Sequence, residues 1–390
     1  AANVTPTPLV QAVRTNANPD EQLWIGREYF QSGNRFPVRL KHNLIKQNQI
    51  QANSLFTNNQ AQNPDFWDFN VAFGAYCSSD LWTGTIANSS VGGWSFLGSN
   101  HLPAMVADLS DPSIIPYPNL ANATELLFGG SSAGAFGAFQ NANRFKTLAP
   151  WIPSVKVAID AGNEDALGNL TCIDSSFSLC KGWAPEIPPY TGPGSVSTRR
   201  SLDPRGTLNP WGALYDASCA AAHSGSKLQM QECTVGSVIY PFMQFPTFVH
   251  QALTDATISN LDYGVPKVAD NTSLSVIEYL LAYANTTKSE LIAANVSAAF
   301  SEMCYEHTAL GASVSPVTIF GSTSVLQALG NFYYERVTVH LVDCCTEFNC
   351  NPTCASEVCP TSVGTCGPYI STCPDVLAGS TSTTTSSPTS

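Results

Sequence analysis

The pentapeptide Gly130–Gly134 (Gly-Ser-Ser-Ala-Gly) constrains the fold of this 390-residue chain more than any other segment. It follows the apolar run 125–128 and precedes a predicted helix from Ala135 to Phe145. In a G-x-S-x-G turn between a strand and a helix, the central serine is strained, and glycines leave room where a Cβ atom would collide with backbone. The pattern predicts a nucleophile elbow with Ser132 at its tip. Glycine and serine also cluster in ordinary turns, so the interpretation depends on the flanking sequence.

Strand-like and helical patterns alternate on both sides of this segment. Apolar runs typical of strands occupy residues 69–73, 124–129, 155–159, 242–253 and 334–342. Helical patterns occupy residues 102–109, 135–145, 274–284 and 289–304. Such alternation predicts an α/β protein, in which a mostly parallel central sheet carries helices on both faces.

Composition divides the chain into three parts. Residues 1–65 are polar and rich in Asn and Gln, so no element is predicted there. Residues 66–360 are the expected catalytic α/β domain, with a Pro/Gly/Ser-rich insertion at 184–210 and a cysteine-rich end. Residues 361–390 contain further cysteines and end in a Ser/Thr tail, a composition that cannot bury apolar surface and predicts disorder.

Charge and hydropathy exclude two classes of partner. Seventeen Lys and Arg against 29 Asp and Glu give a net charge of −12, which argues against binding to nucleic acid or anionic lipid. No run of about 18 apolar residues occurs, so no membrane-spanning helix is predicted. A polyanionic substrate would need a local basic patch. Arg199, Arg200 and Arg205 could supply one, although arginines in a surface loop are more often simply solvated.

The cysteines indicate an oxidising compartment. Thirteen are present and seven fall within residues 344–373, a density that predicts disulfide bonds and secretion. A zinc site at Cys350 and Cys354 is the less favoured alternative, because no histidine follows Cys345. Seven N-x-S/T sequons are compatible with a secreted glycoprotein, but chance would give nearly as many in a chain of this composition. The sequons begin at Asn3, Asn88, Asn122, Asn169, Asn271, Asn285 and Asn295.

A nucleophilic serine needs a histidine base and a carboxylate that orients it. The candidate bases are the four histidines after Ser132, namely His223, His250, His307 and His340. His340 lies in an apolar strand pattern typical of a core or edge residue, whereas His307 precedes a predicted turn. Asp160 and Asp255 each end a predicted strand. The usual proximity of the acid and histidine loops favours Asp255, and Asp160 would then orient loops around the elbow.

Five separated segments resemble those of one family. They are the YCSSD-x-W-x-G block at 76–84, the elbow at 130–134, FVHQALTD at 248–255, C-x-x-H at 304–307, and a cysteine-rich segment at 343–354 that ends C-N-P-x-C. Together they resemble the pectin acetylesterase and Notum family of α/β-hydrolase-like carboxylesterases. The resemblance implies an α/β-hydrolase-like, disulfide-containing fold.

The family's functional residues fall on matching positions. The resemblance implies Ser132 as nucleophile, Asp255 as acid and His307 as base, with neither a metal nor an organic cofactor. It also implies that Cys219 pairs with Cys233.

The resemblance also implies that the block beginning at Tyr76 lines the substrate pocket. Trp82 is a candidate wall of the acyl pocket, although a buried core tryptophan is an equally good interpretation. The expected pocket residues are Tyr76, Ser78, Asp80, Trp82 and Ser131.

One departure from the family concerns the oxyanion hole. The family carries a Gly-Gly-Trp strand end before the YCSSD block, and its backbone N–H groups help to bind the oxyanion. Residues 1–65 contain no such motif, and Gly92-Gly93-Trp94 lies after the block. The backbone N–H of Ala133 remains as one expected donor. Loss of a second donor would lower the rate by about 10²- to 10³-fold.

The resemblance implies a secreted serine carboxylesterase that removes O-acyl groups. The favoured substrate is O-acetyl on a cell-wall polysaccharide such as pectin. One alternative is a Notum-like enzyme that removes a fatty acyl group from a protein. Another is an extracellular hydrolase-like protein that binds glycan without turnover.

Overall fold

The structure is a computed structural model that describes residues 22–25, 54–76, 78, 80–88, 95–115, 119–162, 212–225, 230, 232–261, 263, 265–269, 271–310, 317–344 and 346–354. The insertion at 184–210, the Gly92-Gly93-Trp94 stretch and the tail at 361–390 lie outside these residues. The division into three regions therefore stays a prediction.

The elements follow the alternation expected from the sequence. The strands are β1 Gln22–Ile25, β2 Ala72–Ala75, β3 Glu125–Ser131, β4 Ser154–Asp160, β5 Thr247–His250, β6 Ala298–Ser301, β7 Thr318–Ile319, β8 Thr323–Ser324 and β9 His340–Val342. The α-helices within the described ranges are α1 His101–Ser110, α2 Ala133–Leu148, α3 Ala217–Ala222, α4 Gly236–Ile239, α5 Ala256–Leu261, α6 Leu274–Ala293 and α7 Val325–Tyr333.

The central sheet aligns its strand ends at one edge. Its order is β2-β1-β3-β4-β5-β6-β9, and β7 pairs with β8 in a separate hairpin. Strands β3, β4, β5, β6 and β9 run parallel, whereas β1 runs antiparallel to both β2 and β3. Ser131 lies opposite Asp160, which lies opposite His250. The elbow therefore leaves the sheet at the carboxyl edge, where parallel α/β sheets form their ligand sites.

Helices cover both faces of the sheet. Leu126 and Phe128 of β3 belong to a buried cluster with Phe139 of α2. Leu127, between them, belongs to a second cluster with Leu329 of α7. Because successive strand side chains point to opposite faces, β3 is buried on both sides, as in a parallel sheet between helices. The predicted α/β architecture is confirmed.

One predicted helix is wrong. The pattern over 289–304 splits into the end of α6 and the strand β6. Asn295 has a φ of 47°, the left-handed conformation that commonly ends a helix. Alanines on both sides of this residue favour helix by propensity, and the boundary is therefore hidden in the sequence.

Other elements are shorter than predicted, and one was not predicted. Of the run 242–253, only Thr247–His250 is strand. The last strand begins at His340, because the chain turns at Glu335, which has a φ of 54°. Within residues 1–65, where the sequence predicts no element, Gln22–Ile25 pairs into the central sheet between β2 and β3.

Two disulfide bonds join cysteines that both lie in the described residues. Cys219 pairs with Cys233, as the resemblance implies, and Cys304 pairs with Cys354. The second bond ties the loop after β6 to a residue 50 positions later. The expectation of a disulfide-containing fold is confirmed. In the ranges given above, no helix is both long and apolar enough to cross a membrane.

Candidate active site

The turn between β3 and α2 has the geometry of a nucleophile elbow. Ser132 has φ 56° and ψ −123°, a strained conformation for a residue with a side chain. Its backbone N–H donates to the carbonyl of Asp160 at 2.8 Å. A Cβ atom on Gly130 would lie 2.2 Å from the carbonyl oxygen of Gly134, so only glycine fits there. The small residues of the motif thus allow the turn that raises the Ser132 side chain above the sheet.

The Ser132 hydroxyl meets an imidazole. His307 Nε2 lies 2.8 Å from Ser132 Oγ, and His307 Nδ1 lies 2.8 and 2.9 Å from the two carboxylate oxygens of Asp255. Carboxylate oxygens accept hydrogen bonds, so Nδ1 is the donor to Asp255 and Nε2 can accept the serine proton. This is the arrangement in which a histidine acts as general base toward serine.

Asp255 is fixed by its position just before α5. One carboxylate oxygen accepts hydrogen bonds from the backbone N–H groups of Thr257 and Ile258, at 2.9 and 2.8 Å. The other accepts from Gln251 Nε2 at 3.0 Å. The side chain is fully buried. These donors hold the carboxylate in place, and the carboxylate in turn holds the His307 ring in one orientation.

His307 lies in the loop that follows β6, and several bonds hold this loop. The Ala256 N–H donates to the Glu306 carbonyl at 3.0 Å, and Thr254 Oγ1 donates to the Cys304 carbonyl at 2.8 Å. The Cys304–Cys354 disulfide anchors it from the other side. The His307 side chain keeps 13% of its surface exposed, so solvent reaches the pair formed with Ser132.

Ala133 begins α2 directly after the serine. The first N–H groups of a helix have no acceptor within the helix, and the helix dipole favours negative charge at this end. Ala133 directly follows Ser132 at this helix start, and its role as an oxyanion donor stays a prediction. The stretch Gly92-Gly93-Trp94 and most of residues 1–65 lie outside the described residues, so a second donor is not assigned.

The block after β2 is organised by a buried carboxylate. Asp80 is fully buried and accepts hydrogen bonds from Ser78 Oγ, from the Trp82 N–H at 3.2 Å and from the Gly98 N–H at 2.7 Å. The Tyr76 hydroxyl accepts from the Leu81 N–H at 2.8 Å. These bonds fold the block into a compact turn.

The structure places Trp82 and Ser131 inside the protein. Trp82 is 2% exposed, and its ring lies where a side chain on Gly137 of α2 would otherwise sit. That burial favours the core interpretation of this tryptophan. Ser131 is equally buried, and its hydroxyl donates to Asp160 at 2.5 Å. The two side chains support the elbow from below.

The other candidate acid and bases lie elsewhere. Asp160 contacts His250 at 2.6 Å rather than His307. His340 is on the edge strand β9, where partial burial lowers its pKa. His223 follows α3, where its Nδ1 lies 2.9 Å from the Cys219 carbonyl.

Sequence reasoning did not single out two carboxylates of the His307 loop. Glu302 is fully buried beside His250, and Glu306 directly precedes His307. Burial, reinforced by the charge of Glu302, raises the pKa of Glu306 to about 8. The available signal was that these two acidic residues, four positions apart, directly follow a buried strand. Carboxylates are costly to bury, so acidic residues at such a place are uncommon.

One group of side chains in the described ranges has metal-ligand spacing. It consists of Cys219, His223 and Cys233. The two cysteines form a disulfide bond, so they offer no thiolate to a metal. The alternative zinc site is also contradicted, since Cys350 and Cys354 are both disulfide-bonded.

A mostly parallel sheet with helices on both faces, a serine elbow at its carboxyl edge and a histidine–aspartate pair above it define the α/β-hydrolase class of protein. A family model described as pectinacetylesterase matches residues 39–178 and 213–355. The match covers more than half of the chain, and the chain therefore belongs to the pectinacetylesterase family.

Known proteins agree with this assignment. The chain is 25% identical to palmitoleoyl-protein carboxylesterase notum1a of Danio rerio and 26% identical to palmitoleoyl-protein carboxylesterase NOTUM of Homo sapiens, and 75% of the chain is covered in each case. It spans 56% and 57% of their respective lengths. The crystal structure of the Wnt deacylase Notum from Drosophila matches with a TM-score of 0.61 and 23% identity, covering 78% of this chain and 80% of that one. That likeness supports the fold, and both relatives are themselves named as carboxylesterases.

Proposed function

We propose that this protein is a serine carboxylesterase that hydrolyses O-acyl esters. The observation that carries the proposal is the unbroken hydrogen-bonded line from Ser132 Oγ through His307 to Asp255, with both distances near 2.8 Å. Family membership supports the same chemistry. We assign Ser132 as nucleophile, His307 as general base and acid, and Asp255 as the carboxylate that orients His307.

The geometry supports a two-step reaction. Ser132 Oγ attacks the ester carbonyl while His307 Nε2 removes its proton, and the resulting oxyanion lies near the N–H of Ala133. His307 then returns the proton to the leaving alcohol, and the acyl group stays on Ser132. Water, activated by the same nitrogen, attacks the acyl-enzyme and releases the acid. Asp255 stabilises the imidazolium at each stage.

We propose an O-acetyl group on a polysaccharide such as pectin as the first candidate substrate, on the strength of the family match. The names of the relatives support a second candidate, a fatty acyl ester on a protein. The net charge of −12 disfavours anionic pectin unless a basic patch binds it. We further propose secretion, because the described disulfides need an oxidising compartment.

The first experiment compares ester hydrolysis by wild type and Ser132→Ala with 4-nitrophenyl acetate, butyrate and octanoate at pH 5 to 8. We expect turnover by wild type and none above background by the variant. Ser218→Ala is the matched control, because this part-buried serine on α3 bonds to Asp216 rather than to His307. Its activity should equal that of wild type.

Chain-length preference then separates the substrates. A preference for acetyl, followed by acetate release from acetylated pectin, would support the polysaccharide. A preference for octanoyl, followed by deacylation of a palmitoleoylated peptide, would support the protein substrate. Equal background rates in wild type and Ser132→Ala would contradict the esterase proposal and favour a glycan-binding protein without turnover.

A further inference from the structure

A second polar row crosses the carboxyl edge of the sheet beneath the candidate triad. Ser131 ends β3, Asp160 ends β4 and His250 ends β5, and the registers place each directly opposite the next. Glu302 directly follows β6 and contacts His250 Nε2 at 2.9 Å. All four side chains are at most 2% exposed. Polar side chains buried in this way are costly unless they bond to one another, so the row requires an explanation.

Asp160 is the residue of this row that reaches both catalytic loops. On the serine side, its carboxylate accepts from Ser131 Oγ at 2.5 Å, and its backbone carbonyl accepts from the Ser132 N–H at 2.8 Å. On the histidine side, the carboxylate accepts from the N–H groups of Ala309 and Leu310, at 3.1 and 3.0 Å. These two residues lie two and three positions after His307. One carboxylate thus joins the elbow to the loop that carries the base.

The neighbours of Asp160 favour its ionised form. His250 lies between Asp160 and Glu302, and both ring nitrogens contact a carboxylate oxygen, so an imidazolium satisfies both contacts. Burial opposes the charged forms, but the carboxylates raise the pKa of His250 well above its usual value. The hydrogen bonds and charge of His250 in turn lower the pKa of Asp160. Glu306 also faces this cluster.

We propose that Asp160, held by His250 and Glu302, is a positioning residue that fixes the distance between Ser132 Oγ and His307 Nε2. The inference rests on the proposed esterase function and deepens it. Ser132 and His307 are 175 positions apart in the chain and lie on different loops, yet their reacting atoms must stay within hydrogen-bond distance. A displacement of about 1 Å between such groups can cost about 10² in rate.

Asp160→Asn tests the proposal. The amide keeps the size of the side chain, but it loses the charge and replaces one acceptor oxygen by a donor. We expect kcat for 4-nitrophenyl acetate to fall about 10- to 100-fold while KM stays within about twofold, because substrate contacts are unchanged. Asp216→Asn is the matched control. Asp216 is also buried and accepts hydrogen bonds from two backbone N–H groups. Its side chain also contacts Asn143, which lies on α2 ten positions after Ala133 and therefore away from the elbow.

Ser131→Ala is a milder second variant. It removes one hydrogen bond to Asp160 and leaves the buried charges in place, so it should fold even where Asp160→Asn does not. We expect a fall in kcat of about 3- to 10-fold. Active-site titration with a fluorophosphonate corrects every rate for the folded fraction.

A second measurement does not depend on turnover. In protein labelled with ¹⁵N-histidine, the Nδ1–H signal of His307 is assigned by its loss in His307→Gln. We expect the signal in wild type and in Asp216→Asn, and its broadening or loss in Asp160→Asn or Ser131→Ala. If wild type hydrolyses no ester, the proposed function fails, and this signal alone decides the positioning role.

Two results would overturn the proposal. One is a folded Asp160→Asn protein with wild-type kcat and an unchanged His307 signal. The other, where Asp160→Asn does not fold, is a Ser131→Ala protein that matches wild type in both measurements.

Discussion

Two histidine–carboxylate pairs lie near each other at the carboxyl edge of the sheet, and their surroundings differ. His307 bonds to Asp255 through Nδ1, keeps 13% of its side chain exposed and directs its other nitrogen at Ser132. His250 bonds to Asp160, is fully buried and directs its other nitrogen at Glu302. The first pair has a base nitrogen available to a nucleophile, whereas in the second both nitrogens are held by acids.

The difference teaches that the group on the second ring nitrogen of the histidine decides what such a pair can do. A serine on the second ring nitrogen, with access to solvent, makes the histidine a general base. A second buried carboxylate stabilises the imidazolium and leaves no site that can accept a proton. We therefore expect substitutions in the first pair to affect mainly the rate. Substitutions in the second pair should affect the stability as well as the rate, because Asp160 also positions the first pair.

His307→Gln should give the largest effect. We expect kcat/KM for 4-nitrophenyl acetate to fall about 10³- to 10⁶-fold, because no general base remains for Ser132. The urea midpoint should change little, because Asp255 keeps its bonds from Thr257, Ile258 and Gln251. A folded variant that retains activity would remove His307 from the mechanism.

His250→Gln should show the opposite balance. The carboxylates of Asp160 and Glu302 would remain buried without a cation, so the free energy of unfolding should fall by about 3–5 kcal/mol. Urea denaturation at pH 7 measures the loss. Stability equal to that of wild type would mean that the row beneath the elbow is not ionised as we describe it.

Glu306→Gln tests the charge state of the loop between the two pairs. The pKa of Glu306 is about 8 in the folded protein against 4.5 when unperturbed, so the folded state binds the extra proton between these values. The wild-type free energy of unfolding should therefore fall as the pH rises from about 4.5 to about 8, by about 2–4 kcal/mol. The variant should lose this dependence. Parallel pH profiles for the two proteins would contradict the assignment.

Asp343→Asn should give the smallest effect and serves as the control for Glu306. Burial raises the pKa of Asp343 to about 6 from 3.8, so it destabilises the fold as the pH rises between these values. One carboxylate oxygen accepts from the Met303 N–H and from Asn351, each at 2.8 Å, and an asparagine oxygen can accept both bonds. The variant should lose about 1–3 kcal/mol of pH dependence, confined to pH 4 to 6. A change that extends to pH 8 would implicate a different group.

Local patterns predicted the strands and helices closest to the elbow. The run before Ser132 and the alanines after it became β3 and α2, because their periodicity and burial agree with the turn between them. Farther away, prediction failed where a local preference competed with the sheet. Residues 298–301 have the composition of a helix but form the strand β6, where they are buried between β5 and β9.

The sequence by itself determined which residue types were available and where small residues had to stand. Gly130 is required because a Cβ atom there would collide with the backbone of Gly134. Both residues belong to the same five-residue segment, so this constraint is local in the sequence. The sequence favoured Asp255 and His307 for the triad, but only the tertiary structure decided that His250 joins Asp160 and Glu302. His250 ends β5, and His307 lies in the loop after β6. Their partners Asp160 and Asp255 are 90 and 52 positions away in the chain. Burial and strand register brought His250 to Glu302 and left His307 facing Ser132.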